Sequence, residues 1–438
     1  MFRVAFYEKE ITPPLGCAIP GYFELRFGSD VKDRLYAKAM VAENNGTAVA
    51  VVAIDGCTND DRLTDLVCRR IEEFVGIPRS HVTVAFNHTH CGIPREDYSK
   101  DPRAVANMEG YISVVSKLIA DCVILAYYRL SDSQLRFAQG AVEGIAFCRD
   151  YYMKNGTPQT NPGVLNPNID RPVAENDPVL PVLFACDKAG NPKGALVAFD
   201  CHLDCVGGDA YTGDYPAELS RILKKEYGED FVTVFLEGVA GDVNHKNVNR
   251  KFTDPNHYKH MARLLADELL AIAPTAQPLV GDAVDAVFER VPIARRHIPE
   301  EDIAEAREAI ATIQADPATG IRAMNRSDKQ YVLGMAKRLI GFLENTPEIM
   351  EVPLQVLKLG DFRLYGFPSE IFSCHGKRLR QGAGFEKKLV CTLANGSFGY
   401  VVAEDMFYDT VYESRPGSNR LCAEAGRIMA DKLIEMGK

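Results

Sequence analysis

Three apolar runs in this chain, each about the length of one buried strand, end abruptly in polar segments. His81–Phe86 runs into Asn87-His88-Thr89-His90, and Gly194–Phe199 runs into Asp200-Cys201-His202. Phe231–Leu236 runs into Glu237-Gly238-Val239-Ala240-Gly241-Asp242-Val243-Asn244. Between such runs, residues 59–75 and 104–128 carry apolar side chains at spacings of three and four, the period of a helix. Strands alternating with helices predict an α/β core. In sheets of that kind ligands bind beyond the carboxyl ends of strands. The three polar segments are therefore expected to meet at one site.

Further elements fill in the frame. Residues 2–8 alternate like a strand and stop at Thr12-Pro13-Pro14. Runs at 36–43 and 47–54 flank Asn45-Gly46, a hairpin signal. Residues 134–142 read as extended. Residues 149–180 are rich in Asn, Pro and Asp with little periodicity, and read as a long loop covering a site. Residues 300–314 and 327–344 form two amphipathic patterns, a helical pair inserted at about 300–345. Strands follow at Pro353–Leu359 and Phe362–Tyr365, joined at Gly360-Asp361, and a last helix is expected over 418–436. Without repeats or a low-complexity linker, residues 1–438 read as one domain.

Composition narrows the class. A net charge of -10 lacks the basic balance that nucleic-acid binding needs, so no nucleic-acid partner is expected. The N-terminus shows no signal-peptide pattern, and no run of about 18 apolar residues suggests a membrane span. The twelve cysteines include no Cys-x-x-Cys pair and sit largely in apolar runs. They read as reduced, buried thiols, which suits a cytoplasmic location. A homo-oligomer is compatible with the sequence.

Nine histidines are present, and His88 and His90 lie two apart at a strand end, where alternation puts both imidazoles on one side. Alone the pair is weak, since a polar loop can carry incidental histidines. His202, at the second strand end and flanked by Asp200 and Asp204, strengthens a metal reading. A catalytic zinc needs about three protein ligands and an open position. His81, His297 and His375 read as surface or connector residues, and His245 as a candidate pocket residue. A cysteine hydrolase built on Cys91 and His90 is disfavoured, because adjacent strand residues face opposite ways.

At this point several segments resemble, in order, those of the neutral (non-lysosomal) ceramidases. Asn87-His88-Thr89-His90-Cys91-Gly92 is similar to that family's His-Thr-His-Ser-Gly segment. Ile11-Thr12-Pro13-Pro14-Leu15-Gly16, Ala198-Phe199-Asp200-Cys201-His202 and Gly213-Asp214-Tyr215-Pro216 have counterparts too. So do Gly241-Asp242-Val243-Asn244, Phe367-Pro368-Ser369-Glu370-Ile371-Phe372 and Gly399-Tyr400-Val401. The resemblance implies an α/β, mixed-sheet catalytic domain with helices on its faces. It implies zinc held by His88, His202, Glu370 and Tyr400, with His90, Arg149 and Tyr412 as catalytic residues. Asp200, Asp214 or Asp242 is expected to fix a histidine tautomer.

Bland readings stand beside these. Glu370 could cap a helix, the tyrosines could be core residues, and Arg149 could pair with Asp150 or Asp177. Two departures from the family pattern appear. Asn244 stands where the family has serine, and the chain ends at Lys438, which leaves little room for the family's C-terminal immunoglobulin-like domain. The expectation is a zinc-dependent hydrolase of a small-molecule amide, acting on an N-acyl bond. The alternatives are an ester, lactone or glycosidic bond of a polar molecule such as a carbohydrate, and a non-catalytic binding protein.

Overall fold

The computed structural model describes residues 1–22, 25–95, 102–251, 254–314, 329–407 and 411–438. Two five-stranded sheets form its centre. The first has the order Val82–Phe86, Thr47–Ile54, Tyr36–Asn44, Arg3–Glu10 and Ser131–Asp132. The second has the order Val232–Glu237, Pro192–Phe199, Val179–Cys186, Gln134–Ala141 and Gln277–Pro278. Their inner faces meet in one core, where Val49, Val51 and Ala85 join Leu183, Leu196, Ala198 and Val234.

The central strands read as unbroken apolar runs because both of their faces are covered. In Thr47–Ile54, Val49 and Val51 face the other sheet, while Ala50, Val52 and Ile54 face helices. In Pro192–Phe199, Leu196 and Ala198 face inward, and Ala195, Val197 and Phe199 lie in the outer core. Helices α1 (Asp61–Val75) and α2 (Pro102–Tyr128) cover the first sheet. Helices α3 (Asp214–Tyr227) and α4 (His257–Ile272) cover the second. The result is a four-layer α/β/β/α stack, which bears out the mixed-sheet expectation with helices on the faces.

A third sheet of Val284–Ala294, Ile349–Leu359, Phe362–Gly366 and Lys388–Cys391 adds Leu357, Phe362, Leu364 and Leu389 to the inner core. Between its first two strands lie α5 (Glu300–Thr312) and α6 (Lys329–Asn345), packed on each other where the sequence predicts a helical pair. Part of that expected pair, residues 315–328, lies outside the described residues. Helices α7 (Ser373–Gly382) and α8 (Ala425–Met436) share the third sheet's outer core.

Two expectations are corrected. Residues 149–180 are not one irregular loop. They hold a small sheet of Asp150–Met153, Pro158–Thr160 and Ile169–Pro172, whose three-residue pairings are too short to leave a period. The last helix starts at Ala425 rather than 418, since Asn419 and Leu421 are held in bridges to Gly399 and Arg295. The stretch Gly110–Tyr128 has the length and mean hydropathy of a membrane-crossing helix, but Lys117 and Asp121 interrupt its apolar run, as the sequence reading has it. Here Ile112, Val115, Ile119, Ala120 and Val123 pack into the core under the first sheet.

Three parallel pairings position the site. Ile54 pairs with Phe86, so Asp55 and Asn87 leave the first sheet side by side, and Asn87 Nδ2 donates to Asp55 Oδ1 at 2.6 Å. Phe199 pairs with Glu237, which sends the His202 segment and Glu237 out of the same edge. Glu370 pairs with Tyr400 in a two-stranded ribbon, Glu370–Ile371 with Tyr400–Val401.

Candidate metal centre

The chain leaves Val82–Phe86 and turns at once through His88, whose φ of 70° is left-handed. A side chain with a β-carbon rarely adopts that conformation, and its cost is carried by the surrounding packing. The turn, not strand alternation, puts His88 and His90 together, with ring centroids 4.9 Å apart and edge to face. The expected convergence holds by a different backbone route. His202 brings a third ring, 4.6 Å from His88 and 5.9 Å from His90.

Glu370 faces two of these imidazoles. Its Oε2 lies 3.1 Å from His88 Nε2 and 3.5 Å from His202 Nε2. Tyr400 brings its hydroxyl to 3.5 Å from His202 Nε2. Both His88 Nε2 and Glu370 Oε2 are buried without a hydrogen-bond partner among the described residues. Ligands of a tetrahedral zinc at about 2.0–2.1 Å stand roughly 3.4 Å from one another. The observed separations match that spacing, and buried polar atoms left unpaired are costly unless something binds them. The donor set of two imidazoles, a carboxylate and a phenol fits such an ion.

A second carboxylate enters the cluster. Donor atoms of His88, His202 and Glu237 lie within 4.8 Å of one another, and Glu237 Oε1 is 3.9 Å from His202 Nδ1. That Nδ1 is already engaged with the Ala240 carbonyl at 2.7 Å, so Glu237 faces the used side of the ring. Glu370 faces the Nε2 atoms of both rings, on the side away from the carbonyls, and is the better placed carboxylate. Burial pushes Glu237 up to about 8, with Glu370 adding to the rise and His88 opposing it. Burial alone would also raise Glu370, but His88 and His202 hold it well below the usual carboxylate range. Two carboxyl groups crowded against two imidazoles are an arrangement that a divalent cation relieves.

The imidazoles are oriented by carbonyls, which corrects the expected aspartate partners. His88 Nδ1 contacts the Cys57 carbonyl, as His202 Nδ1 contacts that of Ala240. This leaves the Nε2 atoms turned inward. The three aspartates hold backbone instead. Asp200 takes two bonds from Arg380 Nη2, at 2.8 and 2.7 Å, and one from Val239 N at 2.8 Å. Asp214 receives the amides of Cys205, Val206 and Tyr215. Asp242 accepts from Ser373 N at 2.8 Å and Ser373 Oγ at 2.6 Å, and so caps α7, the capping role considered for Glu370.

Around the donors stand the other sequence-predicted residues. His90 is largely buried, and neither ring nitrogen has a hydrogen-bond partner among the described residues. Burial lowers it to about 4, so its ring is neutral near pH 7. Its Nδ1 lies 3.9 Å from Asp204 Oδ1, which also accepts from Tyr22. Gly21, at φ 116°, closes against the ring: a β-carbon there would come within 2.9 Å of His90 Cγ. Arg149 places Nη1 3.1 Å from His202 Nε2, and its guanidinium carbon is 5.2 Å from the Tyr400 ring centroid. It pairs with Glu413, not with Asp150 or Asp177. Tyr412 meets Tyr400 edge to face at 5.7 Å. Asn244 donates to Asn161 Oδ1 at 2.9 Å, tying the small sheet's loop to the third strand-end segment.

The sequence reading missed several participants. Tyr22 and Glu413 are distant in sequence, and the carbonyls of Cys57 and Ala240 carry no residue signature. His375, read as a surface or connector residue, is buried with Nε2 2.9 Å from the Val402 carbonyl. Cys91 is buried and lies toward Val206 and Gly208 carbonyls and Arg26, which removes the Cys91–His90 pairing. Nine of the twelve cysteines are buried, as expected.

Together the layers and the cluster define an α/β/β/α scaffold with a candidate metal centre at the carboxyl ends of its strands. Among solved structures the chain is similar to neutral ceramidase from Pseudomonas aeruginosa, with a TM-score of 0.73 and 18% identity. That match covers 100% of this chain and 74% of the other. A ceramidase complexed with C2 matches at a TM-score of 0.74 and 18% identity, with the same coverage. At this identity the likeness is one of fold, and it bears out the resemblance in architecture. No protein-family model and no curated protein matches the sequence.

Proposed function

We propose that this chain is a zinc-dependent hydrolase that cleaves a linear N-acyl amide. The observation that carries the reading is the meeting of His88 Nε2, His202 Nε2 and Glu370 Oε2 within 3.1 to 3.5 Å of Glu370's oxygen, with Tyr400 completing the set. When bound there, zinc supplies an acidified water and polarisation of the scissile carbonyl.

The chain's own residues do the rest. His90, neutral and with both nitrogens free among the described residues, accepts a proton and returns it to the leaving nitrogen. Tyr412 and Arg149 donate toward the oxygen on which charge develops. Buried walls around His88, His202 and Glu370 exclude bulk water and strengthen those bonds. A reducing, cytoplasmic setting fits the buried thiols.

A second reading keeps the metal and changes the bond. Tyr22, Asp204 and Lys246, whose Nζ is 3.9 Å from Asp204 Oδ2, make a polar rim that favours a hydroxylated leaving group. An ester or glycoside of a polar small molecule fits that rim. The test is a panel of N-acyl amides, esters and glycosides with zinc-loaded protein and a His90→Ala control. Amide turnover that the control lacks supports the proposal. Turnover of esters or glycosides alone sinks the amidase reading.

A further inference from the structure

Arg149 and Glu413 form an ion pair at 2.6 Å between Nη2 and Oε1, with side chains 9% and 0% exposed. Thr160 Oγ1 donates to the other carboxylate oxygen at 2.7 Å. The small sheet ties these partners together, because Asp150 pairs with Thr160 and Asn161 N donates to the Arg149 carbonyl at 2.8 Å. Glu413 directly follows Tyr412 in one 3-10 turn, so one segment delivers both to the site. The guanidinium is thereby fixed with Nη1 turned toward His202.

Charge is the consequence. An unpaired guanidinium in a buried site binds carboxylate or phosphate strongly through two parallel bonds. Arg149 instead has one of its ends occupied by a fully buried carboxylate. The neighbouring Asp150 is also buried, and burial, with Glu413 adding, holds its carboxyl well above the usual range. The guanidinium and its buried partner Glu413 sum to zero.

We infer that Glu413 is a specificity-determining residue: it cancels the charge of Arg149, so the site accepts a neutral carbonyl or hydroxyl group and rejects an anionic one. The inference rests on the hydrolase reading only in taking this cluster as the place where substrate binds.

Calorimetric titration of zinc-loaded protein with benzoate and with benzamide tests it. Glu413→Gln keeps the side-chain volume and removes the charge. It is expected to tighten benzoate at least tenfold and to leave benzamide within about twofold. Glu413→Asp should behave like the parent. Adding Arg149→Met to Glu413→Gln should abolish the gain. Unchanged benzoate binding in folded Glu413→Gln overturns the inference, as does a gain that survives loss of Arg149. If Glu413→Gln does not fold, Glu413→Met, similar in size and uncharged, should give a gain in the same direction. No gain there overturns the inference too. Failure to hydrolyse any N-acyl amide sinks the reaction but leaves this comparison readable.

Discussion

Glu370 and His88 come from opposite ends of the chain, yet Oε2 of one stands 3.1 Å from Nε2 of the other, both buried. Neither atom has a hydrogen-bond partner among the described residues. His88 is placed by the strand Val82–Phe86 and a left-handed turn, and Glu370 by its parallel pairing with Tyr400. Two scaffolds thus converge on one point where a cation would sit.

The two carboxylates should separate on substitution. Glu370→Gln is expected to weaken zinc binding at least 100-fold. Glu237→Gln, which alters a neighbour rather than a donor to the inward nitrogens, should cost about tenfold or less. Competition against a chromophoric chelator reads both. Equal losses would place Glu237 among the ligands.

Tyr412→Phe should lower kcat about 100-fold while zinc content stays stoichiometric, as expected for one donor to a developing oxyanion. Steady-state kinetics on the best substrate of the panel, with metal analysis, checks this. A changed KM with unchanged kcat would make Tyr412 a binding residue instead.

Arg380→Ala should destabilise the fold by about 3–5 kcal/mol, the range for a buried charge that loses its partner. Asp200, which Arg380 grips with two bonds, is buried and also holds Val239 N beside the His202 segment. Urea unfolding measures the loss. A change under about 1 kcal/mol would show that the pair is not holding the strand end.

His245 gives a pH signature. Burial, with Lys246 adding, lowers it to about 3. The unfolded chain takes up a proton near pH 6.5 that the folded chain refuses. Its contribution is therefore complete above pH 6.5 and is lost as pH falls toward 3. The stability difference between parent and His245→Asn should shift against the parent by about 1.4 kcal/mol per unit of pH between 6.5 and 4. A constant difference across that range would show that His245 protonates freely in the folded protein.

Much of this site was written in the sequence as the ends of apolar runs. A strand covered on both faces must be apolar throughout, so the change to Asn87-His88 or Asp200-Cys201-His202 marks where it leaves the core. Glu237 sat in plain view at a third such end, but only the fold shows which carboxylate faces the Nε2 atoms of His88 and His202. The orienting groups of His88 and His202 are carbonyls, which every residue carries, so no pattern could announce them. Glu413 was equally silent, because its meaning comes from Arg149, 264 positions away in the chain (413 − 149). The small sheet over residues 150–172 escaped because its strands are too short to show alternation.

Metal analysis of the purified parent and of His88→Ala, without chelator at any stage, tests the central claim most directly. One equivalent of zinc in the parent and less than about a tenth in a folded His88→Ala is the predicted result, since removal of one of few protein ligands abolishes such a site. Stoichiometric zinc retained in His88→Ala, or none in a zinc-supplemented parent, would contradict the account.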